Sequence, residues 1–251
     1  MVRSLPYDTA PVRKPGRVLV IAPVWNEARR IQKVVRDVPW QWVDEVLVVD
    51  DGSTDGSGEE AARAGAAVLR HPVNRGVGAA IRSGLDYALQ HGYDFAVLIS
   101  GGGKTPGAEV PLLLRPLFQG ECDFAQGSRY LAGGKHLNHP LHRRCGTRAY
   151  SALFALLVGS KVTDGSSGFR ALRTSLLRDP RICLHQDWLN RYELEPYLYF
   201  KAIRLGYRVK EVPITIWYPS KEDGPFTKMR QFVDWWSITK PLVLLRLGWR
   251  R

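Results

Sequence analysis

Phe95-Ala96-Val97-Leu98-Ile99, five apolar residues in a row, runs directly into Ser100-Gly101-Gly102-Gly103-Lys104-Thr105. An apolar run with no polar residue in alternation reads as a strand buried on both faces, the mark of a parallel sheet. The turn behind it then sits at the strand's carboxyl end, where open α/β sheets bind ligands. Glycines let backbone N–H groups approach phosphate oxygens, and the lysine supplies charge. A P-loop does not fit. G-x-x-x-x-G-K-[ST] needs glycine where Leu98 stands, and Pro106 and Gly107 interrupt the helix that must follow. What remains is a phosphate-facing loop built on Lys104.

The same strand-then-turn pattern recurs on either side. Residues 17–23 read as a buried first strand, followed by a helix that Asn26 and Glu27 open and that runs to about Val38. Residues 45–49 form a second strand that ends in Asp50-Asp51-Gly52-Ser53-Thr54-Asp55-Gly56. A helix N-cap accounts for Ser53 or Asp55 but leaves the pair Asp50-Asp51 unexplained. A helix (58–64), a short strand (67–70) and the turn Asn74-Arg75-Gly76-Val77-Gly78 come next. That turn brings backbone close to a ligand or to another element, and leads into a helix to about His91. Further on lie a helix (109–117), a basic loop (135–144), an apolar helix (147–158), the tight turn 163–170 with a short strand, a helix (191–205) and a strand (207–216). The alternation predicts a parallel, doubly wound α/β sheet. G-x-G-x-x-G after the first strand is missing, which excludes the NAD fingerprint.

The 251 residues suffice for one such domain and carry a net charge of +12, which favours an anionic partner: phosphorylated substrate, acidic lipid or nucleic acid. Nucleic acid is disfavoured, since no stacking motif, zinc knuckle or helix-turn-helix is present and the Asp50-Asp51 tip would repel a phosphate backbone. Cys122, Cys145 and Cys183 are too few and scattered for a disulfide framework or a zinc site. The histidines of the basic loop (His136, His139, His142) match no ligand spacing, so no metal site is assigned. With no apolar h-region near Met1 and no run of about 18 apolar residues, the sequence predicts a cytoplasmic chain, at most peripheral to a membrane. The organisation expected is a flexible segment (1–16), one domain (17–218), and a loop with an amphipathic helix (219–251). In that last part tryptophans, leucines and cations mix, a pattern suited to packing on the domain or to a lipid headgroup region.

Six motifs in order carry a resemblance: Pro23-Val24-Trp25-Asn26-Glu27; Val48-Val49-Asp50-Asp51-Gly52-Ser53-Thr54-Asp55; Asn74-Arg75-Gly76-Val77-Gly78-Ala79-Ala80; Gly127-Ser128-Arg129-Tyr130; Asp164-Gly165-Ser166-Ser167-Gly168-Phe169-Arg170; and Gly206-Tyr207-Arg208-Val209-Lys210-Glu211-Val212-Pro213-Ile214. Together they resemble the dolichyl-phosphate mannose synthase branch of the family 2 glycosyltransferases. The resemblance implies a single GT-A, Rossmann-like domain with a mixed, mainly parallel central sheet. It implies that Pro23, Val24, Asn26, Glu27, Asp51 and Ser53 hold the nucleoside of a GDP- or UDP-sugar. Arg75, Ser100, Gly101 and Gly102 would lie along its phosphates. Arg129, one of Arg143 or Arg144, Ser167 and Lys228 would handle phosphate, of the acceptor or of the leaving group.

One departure stands out. The family's Asp-x-Asp and a residue two further on, which help to hold a divalent metal, fall at Ser100, Gly102 and Lys104. A hard cation such as Mg²⁺ or Mn²⁺ loses its oxygen ligands there, so a metal cofactor is disfavoured. Lys104, with Arg129, would instead stabilise the departing diphosphate. The expected reaction is inverting transfer to a polyprenyl phosphate or to a small hydroxyl-bearing molecule. A hydroxyl acceptor would need a general base, for which Glu193, Glu195 and Asp164 are the candidates. The alternative is an inactive sugar-nucleotide-binding partner or regulatory protein.

Overall fold

A computed structural model of the chain describes residues 13–218 and 233–250. Lys228, with the rest of 219–232, and residues 1–12 lie outside the described residues. Seven strands make the main sheet: β1 (Val18–Val24), β2 (Glu45–Asp50), β3 (Ala67–Arg70), β4 (Phe95–Leu98), β5 (Phe124–Ser128), β7 (Arg170–Arg173) and β8 (Val209–Pro213). Two more, β6 (Lys135–Leu137) and β9 (Thr215–Trp217), pair in parallel beside it. The main order is β3-β2-β1-β4-β7-β5-β8. β7 runs antiparallel to both neighbours, pairing Leu98 with Arg170 and Gln126 with Arg170, so the sheet is mixed and mainly parallel.

The strands at the centre are buried on both faces, and their alternating side chains feed two cores. Leu19, Ile21, Leu47 and Val49 face one layer, with Ile81 and Leu85 of α3 (Val77–Gln90), Phe154 of α5 (Leu141–Val158), and Tyr197 and Leu198 of α6 (Leu194–Arg204). Val18, Val20, Val46 and Val48 face the other, with Ile31 and Val35 of α1 (Ala28–Arg36) and Leu113 and Leu117 of α4 (Val110–Phe118). The short helix α2 (Ser57–Arg63) packs on α1, and α7 (Val233–Arg246) lies across α5 and α6. Strands β1, β2 and β4 therefore bury nearly their whole side-chain complement, which is why these runs carry no polar alternation.

Two boundaries differ from expectation. Helix α5 begins at Leu141, behind Pro140, and takes up the second half of the basic loop, so His142, Arg143 and Arg144 are helical. Gly146 does not interrupt it, because a Cβ there would stand 2.9 Å from the Trp235 indole of α7. The single strand expected over 207–216 is two. At Ile214 the chain leaves β5, whose Ser128 carbonyl accepts the Ile214 N–H (3.1 Å), and its own carbonyl accepts from Lys135 of β6 (2.9 Å).

The glycines ahead of α3 serve another element. A Cβ at Gly78 would fall 2.2 Å from the Leu189 carbonyl oxygen and 2.5 Å from that of Arg191. The Asn190 carbonyl accepts from the Ala79 N–H at 3.0 Å, and Arg82 donates to the Asn190 side chain at 2.8 Å. Segment 189–191 thus seats directly on the first turn of α3. Gly78→Ala is expected to destabilise the fold by about 1–3 kcal/mol through this overpacking. Urea unfolding measures it, and an unchanged midpoint would mean that the segment is not seated there.

Candidate active site

The carboxyl ends of β1, β2 and β4 open into a cleft of about 1270 Å³, walled opposite by the start of α5 and by α7. Its first rim is two loops stitched together. Asn26, in the left-handed region at φ 53°, accepts from the Thr54 N–H at 2.9 Å and gives its own N–H to the Ser53 hydroxyl at 2.9 Å. The Glu27 N–H goes to the Ser57 hydroxyl (2.7 Å) and the Ala28 N–H to Asp55 (3.0 Å). Pro23, Val24, Trp25 and Glu27 line the cleft, while Asn26 and Ser53 brace the rim from behind it.

Asp51 lines the cleft too, but its carboxylate is largely engaged by the protein. His71 Nδ1 lies at 2.7 Å, and the N–H groups of Arg75 and Gly76 donate at 2.9 and 2.8 Å. His71 is itself buried and meets Ser83 at 3.0 Å through its other nitrogen. Sequence reasoning missed this histidine, which no spacing pattern marks. Asp51 therefore fixes the loop that presents Arg75, an exposed guanidinium at the cleft edge.

The glycine loop closes the floor. A Cβ on Gly101 would meet the Pro23 carbonyl oxygen at 2.6 Å, and one on Gly102 would stand 3.2 Å from a Glu27 carboxylate oxygen. Gly101 thus packs against β1, whereas Ser100, Gly102, Lys104 and Thr105 reach the cleft. The Lys104 carbonyl accepts from Trp217 of β9 at 2.8 Å, tying the loop to the small sheet. Its half-buried ammonium is pushed down to about 8, chiefly by desolvation and then by the Arg143 guanidinium, against the pull of Glu27 and Glu195.

Asp164, a candidate general base, does not line the cleft. It is fully buried and held by Arg129, which donates from Nε at 2.7 Å, from Nη2 at 3.2 Å and from its backbone N–H at 3.1 Å. Arg129 also reaches Ser166 (3.0 Å) and the Tyr218 hydroxyl, and it does line the cleft. Tyr218, a further residue that the motifs did not mark, stacks on His139 at 4.1 Å. Burial pushes that imidazole down to about 4, helped by Arg129 and His136, so it is neutral.

Of the two glutamates at α6, Glu195 lines the cleft and Glu193 does not. Glu193 turns back to accept from the Arg191 N–H at 3.1 Å. Likewise Arg143 and Ser167 line the cleft and Arg144 does not. Among the described residues no group of three or more His, Cys, Asp or Glu side chains could hold a metal ion.

The chain matches the glycosyl transferase family 2 model over residues 19–179. It is 34% identical over 215 residues to the polyprenol monophosphomannose synthase of Mycolicibacterium smegmatis, covering 83% of this chain and 80% of that one. It is 34% identical over 207 residues to the undecaprenyl-phosphate mannosyltransferase of Micrococcus luteus, covering 79% and 83%. This chain belongs to glycosyl transferase family 2. Its fold is that of the glucosyl-3-phosphoglycerate synthase of Mycobacterium tuberculosis, solved with Mn²⁺, uridine diphosphate and glucosyl-3-phosphoglycerate (TM-score 0.68, 21% identity, 93% of this chain and 81% of that one). The fold is therefore GT-A and the protein a glycosyltransferase.

In this transferase the Arg129–Asp164 pair is part of the scaffold under the cleft. Asp164→Asn would leave a buried guanidinium without its counter-charge and is expected to cost about 3–5 kcal/mol. Chemical unfolding reads this directly. A variant as stable as the wild type but without turnover would return Asp164 to the role of base.

Proposed function

We propose that this glycosyltransferase moves a hexose from a GDP- or UDP-sugar to the phosphate of a polyprenyl phosphate lying in a bilayer surface. The observation that carries the reading is the character of the cleft's outer wall. Between Asp123 and Asp164 the chain has no Asp or Glu, yet Arg129, Lys135, Arg143, Arg144, Arg148 and Lys161 fall in that span. On α5, Leu141 (73% exposed) and Leu156 (76%) face outwards, and Trp236 (60%) of α7 and Trp249 (70%) beyond it do the same. Apolar side chains interleaved with cations suit an anionic headgroup layer. The relatives named for polyprenol and undecaprenyl phosphate support the same acceptor class. Among the described residues no helix is long and apolar enough to cross a membrane, so the contact proposed is peripheral.

The chemistry follows from the acceptor. A phosphate oxygen, already anionic at neutral pH, attacks the anomeric carbon in line. The new C–O bond forms as the bond to the diphosphate breaks, and the electron pair leaves with the nucleoside diphosphate. No proton has to be removed, so no general base is needed. Arg143 and Arg129 stand beside the incoming phosphate, and charge on the departing diphosphate is met from the loop of Lys104. A second reading, a sugar-nucleotide binder without turnover, draws on the missing Asp-x-Asp and predicts binding with no product in any metal.

Two measurements test the proposal. Flotation with anionic vesicles should retain the wild type, and Leu156→Glu with Trp249→Glu should weaken retention roughly tenfold or more at unchanged stability. Equal retention on neutral vesicles, or by the variant, would remove the docking face. Glu195→Gln should lower kcat/KM on a short-chain polyprenyl phosphate by less than about tenfold, whereas a general base would show a loss of roughly 100-fold or more.

A further inference from the structure

Glu195 stands in the first turn of α6 and lines the cleft, its side chain 19% exposed. Among the described residues its carboxylate accepts no hydrogen bond. What it has is a charge behind it: the Arg170 guanidinium, 1% exposed, lies 3.8 Å away, too far for a hydrogen bond. Arg170 is fixed by two backbone carbonyls, that of Glu195 at 2.5 Å from Nη1 and that of Ser167 beside Nη2. A helix N-terminus favours a carboxylate in its first turn, which accounts for the residue type. It does not account for a buried arginine set behind the carboxylate. Nor does it account for Gly168, where a Cβ would stand 2.6 Å from a Glu195 carboxylate oxygen.

We infer that Glu195 holds the hexose of the donor, its carboxylate accepting hydrogen bonds from the sugar's hydroxyls. The inference rests on the proposed nucleoside-diphosphate-sugar donor and names the residue that meets its sugar. A carboxylate with open lone pairs, steadied by a cation to which it is not hydrogen-bonded, suits a ligand group that brings hydrogen-bond donors and no negative charge. Phosphate is repelled there, whereas a sugar ring with neighbouring hydroxyls is not. The position agrees. Glu195 is in electrostatic reach of Lys104, whose loop the proposed reaction sets against the departing diphosphate, and the hexose is joined to that diphosphate. The other carboxylates that line the cleft are engaged: Asp51 by His71 and two backbone N–H groups, and Glu27 by Arg30 at 2.9 Å.

Calorimetric titration of UDP beside UDP-glucose, and of GDP beside GDP-mannose, in Mg²⁺ buffer tests this on the wild type and on variants of Glu195. For the pair that the wild type binds, Glu195→Ala should weaken the sugar conjugate roughly 10- to 100-fold, the loss of charge-assisted bonds. It should leave the bare diphosphate bound as tightly as before or more so, because a negative charge is gone from the cleft. Glu195→Gln keeps an acceptor oxygen without the charge, and Gly168→Ala keeps the charge while displacing the oxygen. Each should weaken the conjugate alone, roughly 3- to 10-fold. Bare-diphosphate affinity at the wild-type level shows that a variant is folded, and if Glu195→Ala does not fold, Glu195→Gln decides on the same comparison. Conjugate affinity that is unchanged, or that falls together with that of the bare diphosphate, overturns the inference and leaves the donor reading intact. A folded wild type that binds neither conjugate nor either diphosphate overturns the donor reading and the inference with it.

Discussion

Asp164 and Arg129 meet where water does not reach, with a fully buried carboxylate and a guanidinium that is 4% exposed. Taking two ions out of water costs several kcal/mol each unless nearly every lone pair and proton is matched. Here they are matched. Arg129 gives two side-chain bonds and one backbone bond to Asp164, and turns its remaining donors to Ser166 and Tyr218. The N–H groups of Thr163 and Asp164 in turn donate to Glu211 of β8 at 2.9 and 3.0 Å. The end of β5, the turn before β7, the middle of β8 and Tyr218 just past β9 are thereby pinned to one another. The cleft floor is formed by the same residues, so its shape is set before any ligand arrives.

The opposite rim follows the same economy with backbone donors. Asp51, Asp55, Ser53 and Ser57 spend their oxygens on N–H groups of neighbouring loops, and the Asn190 carbonyl closes the first turn of α3. One of the free N–H groups of that helix N-terminus, that of Ala79, is therefore already taken within the protein. At the cleft floor, by contrast, the buried Thr105 hydroxyl is left without a partner among the described residues.

Most of the scaffold was legible in the chain. Strands buried on both faces betray themselves by unbroken apolar runs, and β1, β2 and β4 fell where those runs lie. The insertion of β7 between β4 and β5 was not legible, because Arg170-Ala171-Leu172-Arg173 is short and strand direction leaves no periodic trace; the family resemblance implied only a mixed sheet. Helix α5 was read six residues late: a cluster of histidines and arginines looks like a loop, and only the packing of Trp235 on Gly146 explains the helix running through it. At the site, residue type identified charge but not allegiance. Asp164, Glu193 and Glu195 are indistinguishable as carboxylates in a sequence. Which one is consumed by an arginine, which by a backbone N–H and which faces the cleft depends on contacts between residues 35 or more apart or on the rotation of a helix end. His71 and Tyr218 were invisible for the same reason.

Charge segregation links these scales. A net charge of +12 spread evenly would raise the free energy of the compact state by self-repulsion and attract any polyanion. In this chain the rim around β1 and β2 holds Asp50, Asp51, Asp55, Glu59 and Glu60, while β6 and α5 hold cations without a single carboxylate. A long polyanion laid over the cleft would meet both signs, whereas a phosphate entering along α5 meets Arg143, Arg144 and Arg148. In the proposed reading the acidic, hydrogen-bond-accepting side suits the nucleoside, and the basic side, flanked by exposed leucines and tryptophans, suits the phosphate. A donor with a polar head and an anionic middle, and an acceptor with an anionic head on an apolar chain, are the pair of ligands that the proposed reading matches to this polarity.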